Sequence, residues 1–206
     1  MIMEKHLIIN IGRQFGSGGK SIASALGEKL GIPVYDNELL LKAAEQSGFS
    51  AELFMHSDEK KRIFGLGSIF GSNRYGHFTD NALSDSELFR IQSDTIRDIA
   101  SKGDAIFVGR ASDYVLRDME CLDVFISAPL EDKKRRVSER LGITPKEAES
   151  LIAKKDKGRE DYYNFFTFGQ WGVAATYDLC LDSSILGIEG SADFIIEFAG
   201  KAGMLK

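Results

Sequence analysis

Between residues 10 and 23 the chain reads NIGRQFGSGGKSIA, so that four glycines, a lysine and two serines crowd one short join. Gly16-Ser17-Gly18-Gly19 leaves backbone N–H groups uncovered by side chains, and such groups converge readily on phosphate oxygens. A helix opening near Lys20 aims its positive end at the same point. Lys20 is then expected to bring a point charge to a transferred phosphate, and the Ser21 hydroxyl is placed to ligate Mg2+. A tight strand-to-helix turn chosen for packing alone is the plainer alternative. The strict pattern G-x-x-x-x-G-K-[ST] is not met, because counting back from Gly19 puts Gln14 where its first glycine belongs.

The elements that would position these groups are legible around them. His6 to Ile11 is a short apolar run ended by Gly12, the pattern of a buried parallel strand. Ile22, Ala25, Leu26 and Leu30 then recur at helical spacing until Gly31 and Pro33, and Ile32 to Tyr35 reads as a second strand. Residues 105–109, 122–127 and 177–181 supply three more strand candidates. Five strands with helices between them predict a doubly wound α/β sheet. Capping boxes predict helix starts at Ser84, with Glu87, and at Thr144, with Pro145 and Glu147. Two stretches break the rhythm: the glycine-rich residues 63–77, and residues 153–172, basic at first and aromatic afterwards.

The length of 206 residues and 43% hydrophobic content suit one domain with a sizeable core. With 26 Lys plus Arg against 31 Asp plus Glu, the net charge of -5 offers no general field for nucleic acid, so any phosphate site is local. Cys121 and Cys180 lie in apolar stretches and read as reduced core residues. The N-terminus fits neither a signal peptide nor a membrane span, which makes the cytoplasm the expected compartment. His6, His56 and His77 are scattered without partners that would suggest catalysis.

The element Arg13-Gln14-Phe15-Gly16-Ser17-Gly18-Gly19-Lys20 resembles the R-E-F-G-S-G-G-[RK] opening of the cytidylate kinase-like family, a branch of the P-loop nucleoside monophosphate kinases. The resemblance continues in order through residues 31–40, 88–100, 106–116, 156–166 and 177–189, nearly the whole chain. It implies a three-layer P-loop NTPase fold, α/β, with a five-stranded parallel sheet. Residues 1–206 would form a single kinase domain, with an acceptor-side insert at about 50–82 and a helical lid at about 142–172. Against a loop of type G-S-G-K-[GS]-T, Gly19 stands at the usual lysine position and Lys20 one step later. Such a step rotates a helical side chain by about 100°. Arg13 stands where the usual first glycine would be, and is expected to compensate as a bidentate phosphate donor.

The resemblance also implies an acceptor side. Gly109-Arg110 is similar to the G-R of the family's D-G-R-D segment, and Arg110 at a strand's carboxyl end is suited to gripping an acceptor phosphate or base; a surface salt bridge is the alternative. The flanking acids are replaced by Val108 and Ala111. Asp36, after the second strand, is expected to bond an acceptor hydroxyl, to cap a helix, or both. Lys154, Lys155, Lys157 and Arg159 form a basic cluster in which Asp156-Lys157-Gly158-Arg159 resembles the D-x-x-R lid element, with Arg159 the charge stabiliser and Lys155 beside it. A solvated basic face is the bland alternative. The aromatics Tyr162 to Trp171 are expected to pack the lid on the core or to form a self-association surface, and Arg135 or Arg136 to touch a donor nucleotide. Together these imply an ATP- and Mg2+-dependent kinase of nucleoside monophosphates, CMP or dCMP first, acting as a monomer or homodimer on nucleotide substrates without nucleic acid or membrane. A nucleotide-binding protein of little turnover, and a kinase with a non-nucleotide acceptor, are the competing expectations.

Overall fold

The computed structural model describes residues 6–46 and 85–205. The expected insert at 50–82, the glycine-rich residues 63–77, the capping residue Ser84, His56 and His77 fall outside the described residues.

Five parallel strands form one sheet: β1 (Ile8–Arg13), β2 (Val34–Tyr35), β3 (Ala105–Val108), β4 (Leu122–Ser127) and β5 (Leu179–Asp182), in the order β2-β3-β1-β4-β5. The central strand β1 pairs Ile9 with Ile106 on one side and with Leu122 on the other. Period-2 alternation then assigns each side chain a face. Ile9, Ile11, Ile106, Val108, Val124 and Ile126 pack against α1 (Gly19–Leu30) and α7 (Ser183–Lys201) through Ile22, Leu26, Ile195 and Ala199. Ile8, Ala105 and Phe107 turn the other way, onto α2 (Asn37–Gln46), α3 (Asp85–Lys102) and α4 (Ser112–Val115) through Leu40, Ile96 and Val115. Near-continuous apolar strands covered on both faces are what a parallel sheet requires. Each fully buried Ile or Leu here is worth about 1.5–3 kcal/mol.

A third, smaller cluster joins α5 (Leu130–Leu141) to α6 (Pro145–Thr167), where Val137, Ala148 and Ile152 are buried beside Phe15. The turn between these helices is encoded twice: Gly142 takes a left-handed conformation to end α5, and the Thr144–Glu147 capping box with Pro145 opens α6. Helix α7 is broken at Gly187 (φ 68°, ψ −170°), which sets off its first turn from the rest.

Two expectations are corrected. Strand β1 starts two residues later than the apolar run and extends through Gly12 and Arg13, which makes Arg13 a strand residue instead of a loop residue. Cys180 is exposed and Cys121 only half-buried. On β5, an edge strand, Leu179 and Leu181 pack on the α1/α7 core, and alternation turns Cys180 to the other face. Among the described residues no helix is long and apolar enough to cross a membrane.

Candidate active site

The segment Gln14–Gly18 joins β1 to α1 at the carboxyl end of the sheet, and it is held from several sides. The Gln14 amide donates to Ile126 O (3.0 Å), and the Ser17 hydroxyl donates to Gln14 O (2.9 Å). From α5, Lys133 Nζ donates to Gln14 Oε1 (3.1 Å), and Arg136 Nη1 donates to Ser17 O (3.1 Å) and Ser183 Oγ (2.9 Å). From α6, the Asp156 carboxylate accepts the Phe15 N–H (2.6 Å). These anchors leave the N–H groups of Gly16, Gly18, Gly19, Lys20 and Ser21 without a hydrogen-bond partner among the described residues. Gly16 (φ 82°) and Gly18 (φ 84°) are left-handed, and a Cβ on Gly18 would lie 2.6 Å from Ile188 Cδ1. Exposed amides at the start of a helix, with fixed backbone around them, are an arrangement suited to an anion.

Three guanidinium groups converge beside this loop. Arg13 leaves the end of β1, and its guanidinium lies against Gly109. Burial, then Arg159 and Arg110, push its pKa down to about 9. Arg159 Nη1 donates to Arg13 O (3.3 Å) and to Asp156 Oδ1 (3.3 Å). Arg110 lies 5.2 Å from the Tyr162 ring centroid, and burial lowers its pKa against the opposing influence of Tyr162. Gly109, Arg110 and Ala111 are all left-handed, at φ 74°, 63° and 53°. For the two non-glycine residues this costs about 1–2 kcal/mol each. The three residues turn the chain sharply off β3, and strain of this kind collects at functional segments of proteins in general. Grouped cations repel one another, and a bound anion removes that cost.

Lys20 turns toward the end of β2. Its Nζ forms an ion pair with Asp36 Oδ2 at 2.6 Å, and its side chain is 73% exposed. Asp36 also accepts the amides of Glu38 (3.0 Å) and Leu39 (3.1 Å), so it caps α2 and pairs with Lys20 at once. Burial draws its carboxyl upward, but Lys20 and those amides outweigh it and hold the carboxyl below its usual value. Lys20, Asp36, Val34, Leu39 and Val108 line a cavity of about 310 Å³ next to the loop. Ser21 is exposed in the first turn of α1. Among the described residues no cluster of three or more His, Cys, Asp or Glu is arranged to hold a metal ion.

The aromatic stretch packs α6 onto the body of the protein. Phe166 stacks on Phe89 with ring centroids 4.3 Å apart, Tyr162 donates to Gln92 Oε1 (3.2 Å), and Tyr163 donates to Asp113 Oδ2 (2.7 Å). Phe165 and Phe168 remain exposed. The basic cluster divides across the helix. Arg159 points inward with Lys155 near it, whereas Lys157 pairs with Glu160 (3.1 Å) and Asp161 (2.8 Å) on the outer face. Arg135 likewise turns to Asp132 at 2.5 Å, while Arg136 reaches the loop.

Sequence reasoning missed Lys133, Asp156 as an anchor, and the Arg136–Ser183 clamp. Lys133 is 119 residues from Gln14, and Asp156 is 141 residues from Phe15. Lys133 stands four residues before Val137 on one face of α5, a spacing that turns it toward the core without saying what it meets there.

The model of the cytidylate kinase-like family matches residues 8–185. A cytidylate kinase of Methanopyrus kandleri is 30% identical over 192 residues, covering 86% of this chain and 85% of that enzyme. A cytidylate kinase of Pyrococcus horikoshii is 24% identical, covering 89% and 83%. Among solved structures, an uncharacterized protein from Eubacterium ventriosum superposes with a TM-score of 0.72 at 29% identity, covering 94% of this chain and 98% of that one. Shikimate kinase from Bacteroides thetaiotaomicron, with a TM-score of 0.54 at 14% identity and coverage of 94% and 98%, shares the fold.

Proposed function

The chain belongs to the cytidylate kinase-like family, and on that footing we propose that it transfers the γ-phosphoryl group of ATP to a nucleoside monophosphate, with CMP and dCMP as the first acceptors. A kinase-like phosphotransferase is what its relatives share. One observation supports the finer reading most. A loop with five amides that have no partner among the described residues faces three guanidinium groups carried on separate elements: Arg13 on β1, Arg110 after β3 and Arg159 on α6. Such a pocket suits two anionic partners meeting end to end.

The residues divide the work by position. Gly16 to Ser21 cradle the donor phosphates through backbone amides. Ser21 fits Mg2+ by the chemistry of its hydroxyl, because this ion keeps most of its shell as water and phosphate oxygens and needs few protein ligands. Mg2+ bound there would neutralise charge between the donor phosphates. Arg110 grips the acceptor phosphate, and Asp36 faces an acceptor hydroxyl. Arg159, with Lys155 beside it, stabilises charge on the moving phosphoryl group from the lid at about 142–172, most of which is α6. Catalysis is then positioning and electrostatic stabilisation with no covalent intermediate.

A coupled assay of ATP–Mg2+ turnover against CMP, dCMP, other monophosphates and neutral alcohols tests the reading. Turnover with a monophosphate supports it. Turnover only with a neutral alcohol overturns the acceptor, an outcome that Val108 and Ala111 in place of acids would explain. The second reading, a nucleotide-binding protein of little turnover, is favoured by the Lys20–Asp36 ion pair, which occupies the lysine away from the loop.

A further inference from the structure

Gly19 opens α1 with no room for a side chain. A Cβ built there falls 2.6 Å from Arg13 Cβ, 3.0 Å from Arg13 Cγ and 3.5 Å from Ile126 Cβ. The volume in which a residue 19 side chain would begin is therefore filled by the aliphatic stem of Arg13, arriving from β1. Its guanidinium continues across Gly109, where any side chain would collide with it, to the space between the ends of β1 and β3. There it meets the Arg110 and Arg159 groups and forms no ion pair with a carboxylate among the described residues. Asp36, the acid whose charge acts most on Arg13, is taken by Lys20. Glycine at 19, glycine at 109 and arginine at 13 thus form one matched set.

We propose that Arg13 and Lys20 have exchanged duties: Arg13 supplies the cation on the terminal phosphate of ATP, and Lys20 fixes Asp36 on the acceptor side. This rests on the kinase reading above and names the residue that performs its central electrostatic step. Arg13 reaches the loop from the flank shared with Arg110, so it addresses the end of the triphosphate nearest the acceptor. A planar fork serves that end well, since it donates two parallel hydrogen bonds to one phosphoryl group.

The test compares ATP–Mg2+ and ADP–Mg2+ binding by calorimetry, together with melting temperature and CMP kinetics, in Arg13→Met, Lys20→Met and the parent. Arg13→Met keeps the stem over Gly19 and removes one of three repelling charges, so it should melt at or above the parent temperature. Its affinity for ATP should fall at least about tenfold, the loss expected of a charge-assisted phosphate contact, while ADP affinity changes by no more than about threefold. Lys20→Met should hold ATP affinity within about threefold and raise the KM for CMP.

The double exchange Arg13→Gly with Gly19→Lys should recover most of the ATP affinity that Arg13→Gly alone loses. Loss of ATP binding in Lys20→Met with none in Arg13→Met overturns the exchange, as does an equal loss of ATP and ADP in Arg13→Met. A parent that binds ATP but ignores CMP overturns only the acceptor assignment, and the ATP and ADP titrations still decide the role of Arg13. A parent that binds no ATP overturns the kinase reading itself.

Discussion

Replacing Asp156 by alanine should loosen the phosphate loop and the lid helix together. One carboxylate ties three partners: it accepts the Phe15 N–H at 2.6 Å and Arg159 Nη1 at 3.3 Å, and Lys133 Nζ lies 3.7 Å from its other oxygen. The side chains concerned are only 16%, 23% and 10% exposed. Breaking a buried ion pair from one side typically costs about 3–5 kcal/mol, because the surviving charge stays buried. Burial already raises the Asp156 carboxyl despite its three partners, so part of the attraction is spent on desolvation. An expected cost of about 3 kcal/mol follows, and in a chain of this size it lowers the melting temperature by about 6–12 °C. Asp156→Asn, which keeps an acceptor for Phe15, should lose about half as much. Thermal unfolding followed by circular dichroism reads both. An Asp156→Ala melt within about 2 °C of the parent would refute the claim that this carboxylate holds the loop.

Arg159→Ala should slow single-turnover phosphorylation of CMP by roughly 100-fold, about 3 kcal/mol of transition-state stabilisation, while ATP affinity measured by calorimetry stays within about threefold; a wild-type rate would remove α6 from the catalytic machinery. Thr144→Ala deletes an exposed capping box and should cost about 1 kcal/mol, or about 2–4 °C, with unchanged ATP binding. Asp123 is half-buried next to Asn10 Nδ2 at 2.8 Å, and its pKa is pushed up to about 6, chiefly by burial. A raised carboxyl favours the fold at low pH, and that stability is lost as the pH rises from about 4 through about 6. Asp123→Asn should therefore stabilise the protein by about 1–2 kcal/mol at pH 8 and by nothing at pH 4, and an equal effect at both would contradict the assignment.

The strands and their order of burial were readable because a parallel sheet writes itself as short apolar runs. Residues 122–127 match β4 at both ends, and Thr144 opens α6 as its capping box requires. The end of β1 was misjudged because Gly12 is usually a strand breaker, yet here Cβ-free backbone is needed where Phe125 and Tyr177 pack down on it. Within the site, glycine spacing located the loop, but the direction of Lys20 could not be read from it. That direction depends on Asp36, whose two roles, cap and charge partner, were anticipated only in part. The contacts of Asp156, Lys133 and Arg136 with the loop join residues more than a hundred positions apart, and no local pattern encodes such pairs.

The central place of β1 in the sheet bears on how the chain reaches this structure. β1 pairs with β3, near residue 105, and with β4, near residue 122, and α1 rests on α7, beyond residue 183. During vectorial synthesis the first strand and helix emerge long before any of these surfaces exist. β1 and α1 must therefore wait, their apolar stripe uncovered, until α7, the last helix among the described residues, has left the ribosome. Contacts so distant along the chain carry a large loop-closure entropy and set a slow, late commitment to the native topology. Pulse-labelled hydrogen exchange during refolding should show β1 and α7 gaining protection in the same phase.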